Sequence, residues 1–196
     1  MRKITVFCGS SSGTDESLHE KARELGHMLA VRGIGLLYGG TRIGIMGMLA
    51  DSVLANGGVA EGVIPSVIEE RKIAHTRLTR LMLVNTIEDR KKHLIEDGDA
   101  ILAFPGSYGT LDELFNALVL KQLGKMEKPI ILLNLNGFYD FLIKQLDVMV
   151  SKGFMRAEYR NLLKTVNNLE ELAPFLDQYT GLPGTCPVPQ DGHPAI

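Results

Sequence analysis

Two short runs carry residue types whose spacing suits chemistry. The first is Phe104-Pro105-Gly106-Ser107-Tyr108-Gly109-Thr110-Leu111-Asp112-Glu113. An apolar stretch stops at Pro105, two glycines follow, and a helical pattern begins. Such a turn lets backbone N–H groups approach an anion, and the helix N-terminus adds partial positive charge. An acid one helical turn further on, Glu113, could then act on whatever the anion positions. A second reading of Glu113 is open. Thr110 is a good N-cap, and Thr110-Leu111-Asp112-Glu113 fits a capping box in which the glutamate only satisfies backbone donors.

The second run is Thr86-Ile87-Glu88-Asp89-Arg90-Lys91-Lys92-His93. If Thr86 caps a helix, its cations lie in or near the first turns. The macrodipole opposes them there by up to about 1 kcal/mol each. A bound anion would relieve that conflict for Arg90 and Lys91. A solvated charged face is the other reading.

These residues need elements to hold them. Apolar runs read as strands at Lys3 to Cys8, Ile34 to Tyr38, Val59 to Ile64, Leu81 to Val84, Asp99 to Phe104 and Ile130 to Leu133. Helical patterns lie between them, from Asp15 to Arg32, from about Ile45 to Asn56, and near 87–97, 110–124 and 138–151. Gly33 sits where a helix-terminating glycine belongs. The alternation predicts one α/β domain over residues 1–179, with a mostly parallel, doubly wound sheet and helices on both faces. Residues 180–196 read as an irregular Pro/Gly-rich tail. No solenoid repeat or low-complexity segment interrupts the pattern.

Ligands of open parallel sheets bind beyond the carboxyl ends of the strands. Three loops at such ends are glycine-rich: 9–13 with Gly9 and Ser10, 39–44 with Gly39 and Gly40, and 105–109. Ordinary tight turns are the bland explanation for any one of them. None matches a P-loop or the dinucleotide G-x-G-x-x-G fingerprint, which disfavours ATP and NAD and favours a smaller phosphorylated ligand.

The formal net charge of −2 argues against a general nucleic-acid binder. No run approaches the ~18 apolar residues of a membrane span, and the N-terminal apolar run is too short for a signal peptide. Cys8 and Cys186 lie at opposite ends, with no C-x-x-C pair, so Cys8 reads as a small buried hydrophobe. A reducing cytoplasm fits all of this. The histidines (19, 27, 75, 93 and 193) are scattered, so no metal is expected. His75 and His93 read as polar surface residues rather than catalysts.

The run Pro105 to Glu113 resembles the P-G-G-x-G-T-x-x-E signature of the LONELY GUY (LOG) family. Matching blocks extend over roughly residues 4–156. They include Val6-Phe7-Cys8-Gly9-Ser10-Ser11, Tyr38-Gly39-Gly40, Gly44-Ile45-Met46-Gly47, Gly62-Val63-Ile64-Pro65, Arg90-Lys91 and Gln122-Leu123-Gly124. The resemblance implies a Rossmann-like fold, a homodimer, and an active site around Arg90 and Glu113. The implied reaction is hydrolysis of an N6-modified adenosine 5′-monophosphate to free base and ribose 5-phosphate, with no cofactor. Gly9, Ser10, Gly39, Gly40, Lys91, Gly106, Ser107, Tyr108, Gly109 and Thr110 are the expected substrate-binding residues, and Asp112 is a lesser catalytic candidate.

Ser107 and Thr41 replace family glycines, Ile87-Glu88-Asp89 replaces a common Met-His-Glu, and Leu120 stands where a tryptophan is frequent. These changes bear on substrate preference. Two other classes stay open: a non-catalytic carrier of a phosphorylated ligand, and a PLP-dependent lysine decarboxylase. The latter needs a Schiff-base lysine with a supporting acid, and no run offers that context.

Overall fold

The computed structural model describes residues 2–69 and 72–181. The elements follow in chain order: β1 (Lys3–Phe7), α1 (Glu16–Val31), β2 (Gly35–Tyr38), α2 (Gly44–Ala55), β3 (Ala60–Pro65), α3 (Ser66–Glu69), β4 (Arg80–Val84) and α4 (Ile87–Glu96). After these come β5 (Ala100–Ala103), α5 (Tyr108–Gln122), β6 (Ile130–Leu133), α6 (Asp140–Ser151), α7 (Ala157–Arg160), β7 (Leu163–Val166) and α8 (Leu169–Gly181). The strands form one seven-stranded sheet in the order β4-β3-β2-β1-β5-β6-β7. Every pairing is parallel. The doubly wound expectation holds.

The sheet has two apolar faces, and each takes its own helices. On one side Leu18, Ala22, Leu25 and Leu29 of α1 meet Leu49, Ala50 and Val53 of α2 over Ile4, Leu36 and Leu102, with Leu172 and Leu176 of α8 at the far end. On the other, Leu94 and Ile95 of α4, Leu114 and Ala117 of α5 and Leu146 of α6 cover Phe7, Ile101, Ala103 and Leu132. Strands buried on both faces have no polar alternation to display, which is why β2, β5 and β6 read as uniform apolar runs.

Local signals set the helix ends. Asp15 caps α1 by accepting from Ser17 N at 3.0 Å. Gly33 ends it at φ +65, with Gly33 N donating to Ala30 O and Ile34 N to Leu29 O, both at 3.0 Å. Those two bonds make a Schellman motif, for which a left-handed glycine is suited.

Three readings change. A seventh strand, β7, and helices α7 and α8 follow the last element expected from sequence. The β4 edge is half open to solvent instead of buried on both faces. Helix α8 continues through Gly181, past the expected end of the domain at 179, and the rest of the expected tail, 182–196, lies outside the described residues.

Candidate active site

The three glycine loops converge where the chain leaves the middle of the sheet. β1 lies between β2 and β5, with α1 leaving on one face and α5 on the other. Gly9 N donates to Pro105 O at 3.3 Å, which ties the first loop to the third. A side chain on Gly106 would strike Thr110 Oγ1 and Gly9 N, so glycine there is required by close approach. The second loop reaches the same place from β2. A Cβ on Gly39 would collide with Nη2 of Arg90, so the loop backbone lies directly on that guanidinium. Gly40 sits deeper, against Gly62 of β3, with its carbonyl accepting from His75 N at 2.9 Å.

The helices opening toward this point differ in how their first N–H groups are satisfied. α1 and α4 carry side-chain caps, Asp15 and Thr86. Asn168 serves α8, accepting from Glu171 N at 2.7 Å. The α2 amides of Ile45 and Met46 donate to Ser11 O and Gly9 O, which pins the first loop. α6 carries Asp140 in its first turn. α5 differs from all of these: Ser107 makes no side-chain cap bond and no acid lies in the first turn. Its end therefore keeps positive partial charge for an incoming anion.

This geometry excludes the capping-box reading of Glu113. The N-cap of α5 is Ser107, not Thr110, and the helix starts at Tyr108, two residues before the expected 110. Glu113 turns away from the helix end and accepts from Arg90 Nη1 at 2.5 Å. The capping box is not formed. With Ser107 at the N-cap, Glu113 lies beyond the first turn, and its carboxylate is satisfied by the guanidinium instead. Arg90 is likewise no solvated residue: its Nε donates to Val63 O at 3.1 Å, and the two side chains are 11% and 6% exposed. Next to them, Lys91 Nζ lies 3.1 Å from Asp112 Oδ2 at the surface. Cations of α4 thus meet acids of α5 in two parallel pairs, one buried and one exposed. Thr86 does cap α4, and its hydroxyl also donates to Asp89 Oδ2 at 2.8 Å.

A family model described as possible lysine decarboxylase matches residues 46–176. A cytokinin riboside 5′-monophosphate phosphoribohydrolase of Arabidopsis thaliana is 38% identical over 178 residues, which is 91% of this chain and 84% of that protein. The chain belongs to the LOG family. The rice phosphoribohydrolase LOG is also 38% identical, over 91% of this chain and 74% of its own. Among solved structures, a molybdenum cofactor binding protein of Rippkaea orientalis superposes with a TM-score of 0.70 at 21% identity, covering 92% of this chain and 98% of its own. That likeness concerns the fold.

The positions where the chain departs from the LOG signature have a structural account. Ser107 adopts φ −106 and ψ −153, extended backbone open to any residue, so serine carries no strain there. Thr41 is buried and turned inward, its hydroxyl 3.3 Å from Met46 Sδ and its carbonyl accepting from Tyr38 OH at 3.1 Å. Leu120 lines a cavity of about 280 Å³ between α4 and α5, with Lys91, Lys92, Ile95 and Asn116. Of the remaining expected residues, Ser10, Tyr108 and Gly109 are exposed, while Thr110 is buried beside Gly106.

His75 corrects the surface reading. It is 4% exposed, with Nε2 3.1 Å from Asp51 Oδ1 and Nδ1 accepting from Arg77 N at 3.1 Å. Cys8 is buried as expected, and burial pushes its thiol far above the usual range. No cluster of His, Cys, Asp and Glu suited to a metal exists among the described residues. A Schiff-base cofactor does not fit the site either. Its lysine, Lys91, is paired with Asp112 at the surface, and its buried acid, Glu113, is held by Arg90. No helix among the described residues is long and apolar enough to cross a membrane.

Proposed function

We propose that this chain hydrolyses the N-glycosidic bond of an adenosine-type nucleoside 5′-monophosphate, releasing free base and ribose 5-phosphate. The carrying observation is a buried carboxylate held by an arginine, one turn inside a helix whose N-terminus lacks a cap. The sequence likeness to phosphoribohydrolases supports the substrate class.

The 5′-phosphate meets the first-turn amides of α5 and the Ser107 hydroxyl. Anchoring there positions C1′ in front of Glu113. As the bond to the base breaks, its electron pair leaves with the base nitrogen and positive charge grows on the sugar. The Glu113 carboxylate stabilises that charge and takes a proton from the attacking water, whose oxygen joins C1′. Arg90 keeps Glu113 ionised and aimed. Lys91 is a second cation at the mouth.

The chemistry requires Glu113 ionised. Burial, the dominant effect, raises its pKa above the ordinary 4.5, while Arg90 opposes the rise. Activity should therefore fall on acidification through a value above the usual carboxylate range. A pH profile of kcat/KM with AMP checks this, and an acid limb at or below the ordinary value contradicts it.

Incubating the purified protein with a panel of nucleoside monophosphates and scoring free base tests the reaction itself. Tight binding without base release would favour a carrier. A homodimer and a cytoplasmic location complete the reading. The α5–α6 face supports the dimer: a groove of about 510 Å³ runs beside Phe115, Leu118, Val119 and Met149, and Phe154 at its rim is 88% exposed. Light scattering of the wild type and of Phe154→Asp reads the assembly, and a wild-type monomer at all concentrations would reject it.

A further inference from the structure

The turn that carries the phosphate-facing amides is held from beneath by a side chain outside the signature. Beyond Ala103, β5 loses its ladder. Ala103 is opposite Leu132 of β6, and Phe104 N still reaches Phe7 O of β1 at 2.9 Å. On the β6 side the next backbone groups have no strand to pair with. The phenol of Tyr139 takes that place: its hydroxyl donates to Phe104 O at 2.9 Å, directly before the bend at Pro105. One hydroxyl thus ties the last residue before Pro105 to a side chain of the next crossover.

Tyr139 is itself fixed. Its ring is buried and stands edge-to-face with Phe138, 4.8 Å between centroids. Its N–H donates to Asn134 Oδ1 at 2.7 Å. Asn134 is buried, donates from Nδ2 to Asp140 Oδ1 at 2.8 Å, and has its backbone N–H on Val166 O of β7 at 2.8 Å. A continuous line of hydrogen bonds runs from β7 through Asn134 and Tyr139 to the signature turn. The amides that α5 offers to an anion, from Ser107 to Thr110, take their direction from the tilt of the peptide units on either side of Pro105.

We infer that Tyr139 is a positioning residue for the 5′-phosphate, its hydroxyl setting the angle at which the α5 amides face the ligand. This rests on the phosphoribohydrolase reading for its kinetic arm alone. Tyr139→Phe removes one oxygen and keeps the ring. With the turn free to tilt, KM for AMP and the dissociation constant of ribose 5-phosphate should each rise about tenfold, with kcat and adenine binding nearly unchanged. A merely structural hydroxyl would lower the melting temperature and leave that split absent.

Steady-state kinetics with AMP, together with calorimetric titration of ribose 5-phosphate and of adenine, make the test. Asn134→Ala, which frees the Tyr139 backbone, should move the same quantities in the same direction, and it carries the test should Tyr139→Phe not fold. KM and ribose 5-phosphate affinity within about twofold of wild type in a folded variant overturn the inference. So does a fall in kcat with KM unchanged. If wild type releases no base from any monophosphate, the proposed reaction fails, and the ribose 5-phosphate titration still judges Tyr139.

Discussion

Glu113→Gln should lower turnover of AMP by about a thousandfold while leaving nucleotide binding close to wild type. The amide keeps the size of the carboxylate, and its oxygen still accepts from Arg90 Nη1, which holds the present side chain at 2.5 Å. The α5 amides that meet the phosphate are unaltered. What disappears is the negative charge beside C1′ and the acceptor for the water proton. A kcat defect without a KM defect is the signature of a group acting only in the transition state. Steady-state kinetics and an AMP titration measure both quantities. Turnover within tenfold of wild type would remove Glu113 from the chemistry, whereas loss of AMP binding would make it a ligand contact.

Arg90→Ala should be worse in stability than Glu113→Gln. It leaves a buried carboxylate, 6% exposed, without its counter-charge, a change that costs about 3–5 kcal/mol. It also abandons Val63 O. The pH dependence gives a second reading. Burial already places the Glu113 pKa above its ordinary value, and Arg90 pulls it down. Without Arg90 it climbs further, so the folded variant holds a proton that the unfolded chain releases. Its stability is therefore greatest at low pH and declines as pH rises through the raised value. Thermal melts across acid to neutral pH should show the variant approaching wild type on acidification. The double variant Arg90→Ala/Glu113→Gln should recover part of the lost stability at neutral pH, because no buried charge remains. Equal melting temperatures of the single and double variants would dissociate the two side chains energetically.

Much of this architecture is legible in the chain. Uniform apolar strands, the Gly33 helix stop and the three loops locate the sheet, its helices and the end at which a ligand binds. The two short runs draw attention to Arg90 and Glu113, and the family resemblance singles them out. Their contact is not legible, because it depends on α4 and α5 lying side by side and not on any spacing in sequence. Thr110-Leu111-Asp112-Glu113 satisfies the local rule for a helix start, yet the Pro105-Gly106 bend starts the helix at Tyr108 and leaves Thr110 inside it. The bend, and not the Thr-x-x-Glu spacing, sets the helix start. β7 escapes notice for the opposite reason. Its four residues mix apolar and polar types, with Lys164 exposed at the sheet edge, so it shows no uniform apolar run. His75 gives no local sign of burial, since its partners Asp51 and the 77 amide come from fold and turn geometry. Tyr139 falls at the start of the helix expected near 138–151, and nothing at that position marks its hydroxyl as a partner of the signature turn.

The strand order has a consequence for how the protein matures. β4 and β5 are the strands that deliver α4 and α5, but β3, β2 and β1 lie between them in the sheet. Arg90 and Glu113 are only 23 positions apart along the chain, yet they cannot meet until those intervening strands have docked. Local folding of residues 80–122 alone leaves the two side chains without a shared floor. The buried pair is therefore a property of the closed central sheet and not of the segment that contains both residues.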